Sequence, residues 1–268
     1  MEPQKARLKL NGRHKKILEQ LREEGFLATE QMARDFAVTT QTIRRDINML
    51  SNQGLVRRYH GGAGAVSSVE NVAYASRQAL NHEAKARIAR AVARQIPDKA
   101  SLFINIGTTT EAVAQALAER KNLRIITNNL NVAACLCGNS ACEVIVAGGV
   151  VRSDHGVIGE STIDFIRQFK VDYGIIGISG IDTDGALLDY DYREVRVAQA
   201  IIKNSRQVFL VADRSKFSIA PMVKLGSLAD IDALFTDAEP PASIVELLAA
   251  SQTRLFIADD GKAVRKPA

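Results

Sequence analysis

No stretch of this 268-residue chain approaches the roughly 20 consecutive apolar residues that cross a bilayer, which excludes a helical membrane protein. The opening residues, Met-Glu-Pro-Gln-Lys, lack the apolar segment of a secretory signal. A cytoplasmic location is therefore the default expectation. Cysteine is scarce: Cys135, Cys137 and Cys142 are an odd number, set in one apolar segment. Cys-x-Cys without a further Cys or His nearby is poor zinc spacing, so buried thiols are expected, with no metal and no cofactor. His14, His60, His82 and His155 are scattered and form no ligand set. A net excess of charge is missing from most of the chain. Residues 61–268 carry 23 Lys+Arg against 23 Asp+Glu, whereas residues 1–60 carry 12 against 7. The whole net charge of +5 thus sits in a small N-terminal unit. Basic charge confined to one domain is the electrostatic footprint of a nucleic-acid binder.

What is present begins with helical periodicity. Residues 13–24 place Ile17, Leu18 and Leu21 on one face, and Gly25 ends that helix. Thr29 is expected to cap a second helix, 30–36, with Met32, Ala33 and Phe36 inward. Ala37-Val38 makes a tight turn. Residues 39–50 then carry two stripes. Ile43, Ile47 and Leu50 form an apolar one, and Gln41, Arg44, Arg45 and Asn48 form an offset one of long hydrogen-bonding side chains. Thr39 or Thr40 can cap the start, and Gly54 stops the helix. Short helix, turn, longer helix is the helix-turn-helix arrangement, whose second helix enters the major groove of duplex DNA. Residues 55–60 are too short for another helix and close on Gly61-Gly62, which suits a β wing. Arg57, Arg58 and His60 can then reach phosphates or the minor groove, or remain solvated strand residues.

Residues 63–76, beginning in the small-residue run Gly-Ala-Gly-Ala-Val-Ser-Ser, read as a linker between residues 1–62 and a second domain, 77–258; 259–268 form a tail. Asn81 is expected to cap a helix over 82–96. Apolar runs at 102–106, 123–127, 143–147, 173–178, 208–212, 233–236 and 255–258 alternate with helical segments at 111–120, 130–136, 159–169, 192–204 and 243–250. This is an α/β pattern and predicts a mostly parallel sheet covered on both sides.

Ligands of such sheets bind outside the carboxyl ends of the strands. The runs end on Gly107-Thr108, Asn128-Asn129, Gly148-Gly149, Ser179-Gly180, Asp213 and Asp237. Gly107-Thr108-Thr109-Thr110 is the best phosphate candidate: glycine admits an anion to the backbone, the threonines bring hydroxyls, and helix-start N–H groups face it. A glycine followed by a threonine cap is also how any strand turns into a helix. Asp182, Asp184, Asp189, Asp191 and Glu194 are acceptors suited to polyol hydroxyls, or else a turn and a solvated helix start. Lys216 can meet a phosphate as a point charge or simply cap the surface.

The stretches Arg13-x3-Ile17-Leu18-x2-Leu21, Thr42-Ile43-Arg44-Arg45-Asp46-Ile47 and Tyr59-His60-Gly61-Gly62-Ala63 resemble the DeoR family of bacterial repressors. Residues 104–110, 127–132, 148–149, 177–185, 191–194 and 213–217 resemble that family's sensor domain. The likeness runs from about residue 10 to 258. It implies a winged helix-turn-helix followed by a sensor of the ribose-5-phosphate isomerase-like type. It implies Thr40, Gln41, Thr42, Arg44, Arg45 and Asn48 in or over the groove of double-stranded operator DNA. Asp46, awkward beside phosphates, would orient an arginine or cap locally. Loop 107–110 would hold the phosphate of a small phosphorylated metabolite, glycerol 3-phosphate being the effector suggested, with Asn128, Gly149, Asp182, Asp191, Glu194 and Lys216 around it. Asn105 stands where many relatives have Asp, which bears on effector preference. A homo-oligomer, dimer or tetramer, is implied as well.

Two other readings stand beside a repressor. A sugar-phosphate isomerase with a DNA-binding appendage would use Glu194 as base. The related isomerases place a lysine in a glycine-rich run after the acidic motif, however, and this chain has Gly185-Ala186-Leu187-Leu188. A protein-binding sensor would leave Gln41, Arg44, Arg45 and the confined positive charge without a purpose.

Overall fold

In the computed structural model the chain divides between Leu80 and Asn81 into two compact units. The structure describes residues 10–52, 55–59, 61–65 and 74–258. The expected stop at Gly54, the candidate His60, most of the expected linker and the tail lie outside them.

The first unit begins with α1 (Gly12–Glu24), followed by β1 (Phe26–Ala28), α2 (Thr29–Asp35), α3 (Thr40–Asn52), β2 (Val56–Tyr59) and β3 (Gly62–Ala65). Ile17, Leu21, Leu27, Met32, Ile43, Ile47, Leu50 and Val56 form its core. The two helical stripes of α3 separate as expected. Ile43, Ile47 and Leu50 are buried, while Gln41, Arg44, Arg45 and Asn48 are exposed. Thr39 does cap α3, its Oγ1 accepting from the Thr42 N–H at 3.2 Å. Gly25, at φ +74°, closes α1.

Three expectations for this unit are corrected. Thr29 does not cap α2. It is the helix's first residue, and its N–H donates to the Gly61 carbonyl at 2.7 Å. A strand running straight into the helix leaves the cap position to Ala28, which has no side-chain acceptor. The strand β1 itself was not expected. Finally, Ala63–Ala65 is not linker but part of the central strand of an antiparallel sheet ordered β1-β3-β2. Its small residues are there for close packing rather than for flexibility. A Cβ on Gly62 would collide with the Leu27 carbonyl, and one on Gly64 would lie 2.6 Å from the Tyr59 ring. A last helix, α4 (Tyr74–Ala79), precedes the boundary.

The second unit opens with α5 (His82–Gln95) and continues β4 (Ser101–Ile104), α6 (Thr108–Leu117), β5 (Leu123–Thr127), α7 (Leu130–Leu136) and β6 (Cys142–Val146). A hairpin follows, β7 (Val150–Val151) and β8 (Val157–Ile158), then α8 (Glu160–Ile166) and β9 (Val171–Gly177). The rest is β10 (Gly180–Ile181), β11 (Ala186–Asp189), α9 (Tyr192–Lys203), β12 (Ser205–Val211), β13 (Val223–Ser227), β14 (Ala233–Thr236), α10 (Ala242–Ala250) and β15 (Arg254–Ile257).

All seven expected strands join one sheet, ordered β15-β14-β12-β9-β4-β5-β6, with every pairing parallel. Alternate residues feed two cores. Phe103, Ile126, Ile176, Leu210 and Leu234 pack on one face. Leu102, Ile125, Ile175, Phe209 and Phe235 pack on the other. Burial on both faces is why these strands read as unbroken apolar runs. The chain steps from β4 outward through β5 to β6, then returns to the other side of β4 at β9. The carboxyl ends of β4 and β9 are therefore the switch point at which a doubly wound sheet opens a crevice. Two small antiparallel sheets, β7-β8 and β10-β11-β13, were not expected.

Two further expectations fail here. Asn81 occupies the N-cap position of α5 but makes no side-chain cap bond. The thiols are not all buried: Cys135 and Cys137 are exposed, Cys142 half-buried, and all three free. On α7 the buried residues are Val132 and Leu136, four apart, which turns Cys135 outward.

Candidate functional sites

In the first unit, a capping box holds α1. Asn11 Oδ1 accepts from the His14 N–H at 2.8 Å, and His14 Nδ1 accepts from the Asn11 N–H at 3.3 Å. That assignment leaves the proton on Nε2, which faces Asp46 Oδ1 at 3.0 Å. Arg13 Nε donates to Asp46 Oδ2 at 2.6 Å. Asp46 therefore orients an arginine, as the sequence suggested, and ties α3 to α1. Burial raises its carboxyl, but the bonds from Arg13 and His14 outweigh burial and hold it below the ordinary carboxylate value. The exposed stripe of α3 is left clear of this clamp. Arg58, on β2, donates to Asn48 Oδ1 at 2.9 Å, so the wing and the helix present one joined polar surface. Arg57 is half-buried beside it, and Thr40 and Thr42 are half-buried at the helix start.

In the second unit, the ends of β4 and β5 lie next to each other. Gly107 sits at φ +142° before α6, and Thr110 Oγ1 donates to the carbonyls of Asn105 and Gly107, 2.7 Å each. Only glycine is at ease with that backbone, and the first-turn N–H groups of α6, over Thr108 and Thr109, lack acceptors within the helix. Asn105 and Asn128 follow the paired residues Ile104 and Thr127, so they stand side by side. Each is almost wholly buried, and each has a side-chain oxygen without a partner. Asn128 Nδ2 donates to the Val157 carbonyl at 3.0 Å, which fixes its orientation. Unpaired buried acceptors are uncommon and mark a place that wants a donor.

Asp191 and Glu194 are brought together, but by a residue that sequence reasoning missed. Arg152 Nη1 donates to Asp191 Oδ2 at 3.0 Å and Glu194 Oε2 at 2.8 Å, and Nη2 to Asp154 Oδ2 at 3.0 Å. One guanidinium faces three carboxylates. Burial raises the Asp191 carboxyl, yet the bonds from Arg193 and the charge of Arg152 hold it below its ordinary value. Little in the local sequence marks Arg152, two of whose three carboxylate partners lie 39 and 42 residues away. Asp213 is also buried. Burial raises its carboxyl, and Lys216, Ser215 and Lys85 together bring it below its ordinary value. Lys216 lies on the 3-10 turn Arg214–Ser218 just past β12.

Two candidates are placed differently. Asp182 stands at the tip of the β10–β11 hairpin, its carboxylate accepting from the Thr183 N–H at 2.7 Å. The hairpin base carries Ser179 and Asp189 instead, bonded at 2.9 Å. Gly149 is needed for packing: at φ +154°, a Cβ would lie 2.7 Å from the Ile158 carbonyl and collide with the Thr162 hydroxyl. Among the described residues no cluster of His, Cys, Asp or Glu could hold a metal, and no helix is long and apolar enough to cross a membrane. Two hollows of about 310 and 540 Å³ lie at the opposite, amino ends of the strands and collect none of these residues.

Residues 13–69 match the DeoR-like helix-turn-helix domain, and residues 80–238 match the DeoR C terminal sensor domain. The chain belongs to the DeoR family. This DeoR-family protein is 52% identical over 242 residues to the glycerol-3-phosphate regulon repressor of Escherichia coli, across 90% of this chain and 96% of that one. It is 50% identical to the repressor of the same name from Haemophilus influenzae, across 93% and 98%. It is 43% identical to the Escherichia coli transcriptional repressor CsqR, across 92% and 95%. It is thus a DNA-binding transcriptional repressor with a sensor domain. Among solved structures it is similar to ribose 5-phosphate isomerase A from Methanocaldococcus jannaschii, at TM-score 0.38, 12% identity and coverage of 51% and 55%. It is similar to eIF2B delta from Chaetomium thermophilum at TM-score 0.47, 15% identity and coverage of 75% and 63%.

Proposed function

We propose that this DeoR-family protein binds operator DNA in the bacterial cytoplasm through α3 and its wing, and that glycerol 3-phosphate, seated at the strand ends, weakens that binding. The observation that carries the reading is the identity of about half over both units to repressors named for the glycerol-3-phosphate regulon. The geometry agrees in chemistry. Gln41, Arg44, Arg45 and Asn48 offer base-edge and phosphate contacts, with Thr40, Thr42, Arg57 and Arg58 as further candidates and His60 expected to reach phosphates or the minor groove. Loop 107–110 offers amides and hydroxyls to a phosphate. Asn105 and Asn128 offer acceptors, and Asp191 and Glu194 further ones, to hydroxyls. Lys216 supplies positive charge nearby. Helix-turn-helix repressors read paired half-sites, which favours a homo-oligomer.

The test is fluorescence anisotropy of labelled operator duplex, selected from random DNA by the protein itself, titrated with glycerol 3-phosphate. Release of DNA at up to millimolar ligand is expected, and the same ligand should stabilise the sensor unit thermally. A second reading takes a different phosphorylated sugar as effector. It is favoured by Asn105, a buried neutral amide whose side-chain oxygen has no partner and offers an acceptor without a charge. Release by a six-carbon sugar phosphate but not by glycerol 3-phosphate would select it.

A further inference from the structure

Asn81 is the first residue of the sensor unit, with only Leu80 and Asn81 between α4 and α5. Asparagine before a helix ordinarily turns its side-chain oxygen onto the first-turn amides. Here it does not, and its backbone is left-handed, at φ +55°. Its amide instead donates from Nδ2 to Asp213 Oδ1 at 2.9 Å, across 132 residues. Asp213 is buried two positions past the end of β12. The same oxygen accepts from the Ser215 N–H at 2.9 Å, and the Asp213 carbonyl accepts from the Lys216 N–H at 3.0 Å. One carboxylate thus organises the turn that carries Lys216 and also holds the residue at which the sensor joins the rest of the chain.

We propose that Asn81 is the positioning residue through which effector occupancy reaches the DNA-binding unit. The inference rests on the effector reading above. A ligand that draws Lys216 toward it shifts the Asp213–Ser215 turn. The bond to Asn81 then transmits that shift to the α4–α5 joint. Coupling of two sites requires an element that both bias, and this short joint supplies one.

The test is Asn81→Gly in the full chain. Glycine keeps the left-handed backbone and removes only the amide. Operator affinity without ligand and glycerol 3-phosphate affinity, read by anisotropy and by thermal shift, should stay within about twofold of the parent. Ligand-induced loss of operator affinity, typically about 5- to 150-fold for coupled sites, should fall to about twofold or less. Asn81→Ala, which also disfavours the left-handed backbone, should be equally uninducible and less stable. If Asn81→Gly releases DNA as the parent does, or if it loses ligand binding along with release, the proposal is overturned. If the parent itself is not released by glycerol 3-phosphate, the effector reading fails first, and this inference fails with it.

Discussion

Replacing Asp46 by alanine should loosen the DNA-binding unit more than removing any exposed residue of the reading face. The carboxylate is 9% exposed and bonds to Arg13, 28% exposed, and to His14, 8% exposed. A hydrogen bond to a charged group contributes about 1.5–3 kcal/mol, and the part shared with half-solvated Arg13 counts toward the low end. The His14 ring nitrogen, in contrast, would be left buried without its acceptor. The sum is about 2–3 kcal/mol, which corresponds to roughly 30- to 160-fold faster opening-limited exchange of the α1 and α3 amides at 1.36 kcal/mol per tenfold. Hydrogen-exchange mass spectrometry of the full chain reads this. Arg13→Ala should cost less, because Asp46 keeps His14. The pH dependence has a definite sign. Asp46 is held below its ordinary value, so its contribution is complete above the unfolded carboxyl value of about 4 and is lost as pH falls through the lower folded value. Parent and variant should therefore converge in stability only on strong acidification. Exchange within threefold of the parent at pH 7, or a difference that grows toward pH 3, would refute the clamp.

Other perturbations have equally direct readouts. Arg44→Ala and Arg45→Ala should each weaken operator binding while leaving thermal unfolding unchanged, and the salt slope should fall by about one for every phosphate that is no longer neutralised. Gly149→Ala meets both a left-handed φ and the Ile158 carbonyl, so a loss of about 1–3 kcal/mol in urea unfolding of the sensor unit is expected. Arg152→Ala removes the guanidinium that bridges Asp154, Asp191 and Glu194, while Arg193 stays on Asp191. The variant should be destabilised at pH 7, because the cation that offsets repulsion among the three carboxylates is gone. Glycerol 3-phosphate at about 100 times its dissociation constant should add about 2.7 kcal/mol to the sensor unit, a rise of roughly 5–10 °C in Tm.

Much of this was legible because period and burial coincide. The seven parallel strands announce themselves as apolar runs, since both faces of the sheet are covered. The α3 stripes separate by simple helical spacing. The candidate site was read as strand endings, and Asn105 and Asn128 do stand side by side beyond the paired ends of β4 and β5. The rest was hidden for physical reasons. Antiparallel pieces such as β7 and β10 are too short to show a strand period, and β13 pairs with β11, a strand distant in sequence. Glycine and alanine in β3 look like slack in a sequence, because close packing against Leu27 and Tyr59 leaves no local trace. Arg152 and Asn81 act through bonds that span tens of residues or more, which no periodicity encodes.

The two stripes of α3 share no residue. Gln41, Arg44, Arg45 and Asn48 can be exchanged without disturbing the packing of Ile43, Ile47 and Leu50. A gene copy of such a repressor is thus free to acquire a new DNA address one side chain at a time, keeping its fold and its metabolite response intact throughout.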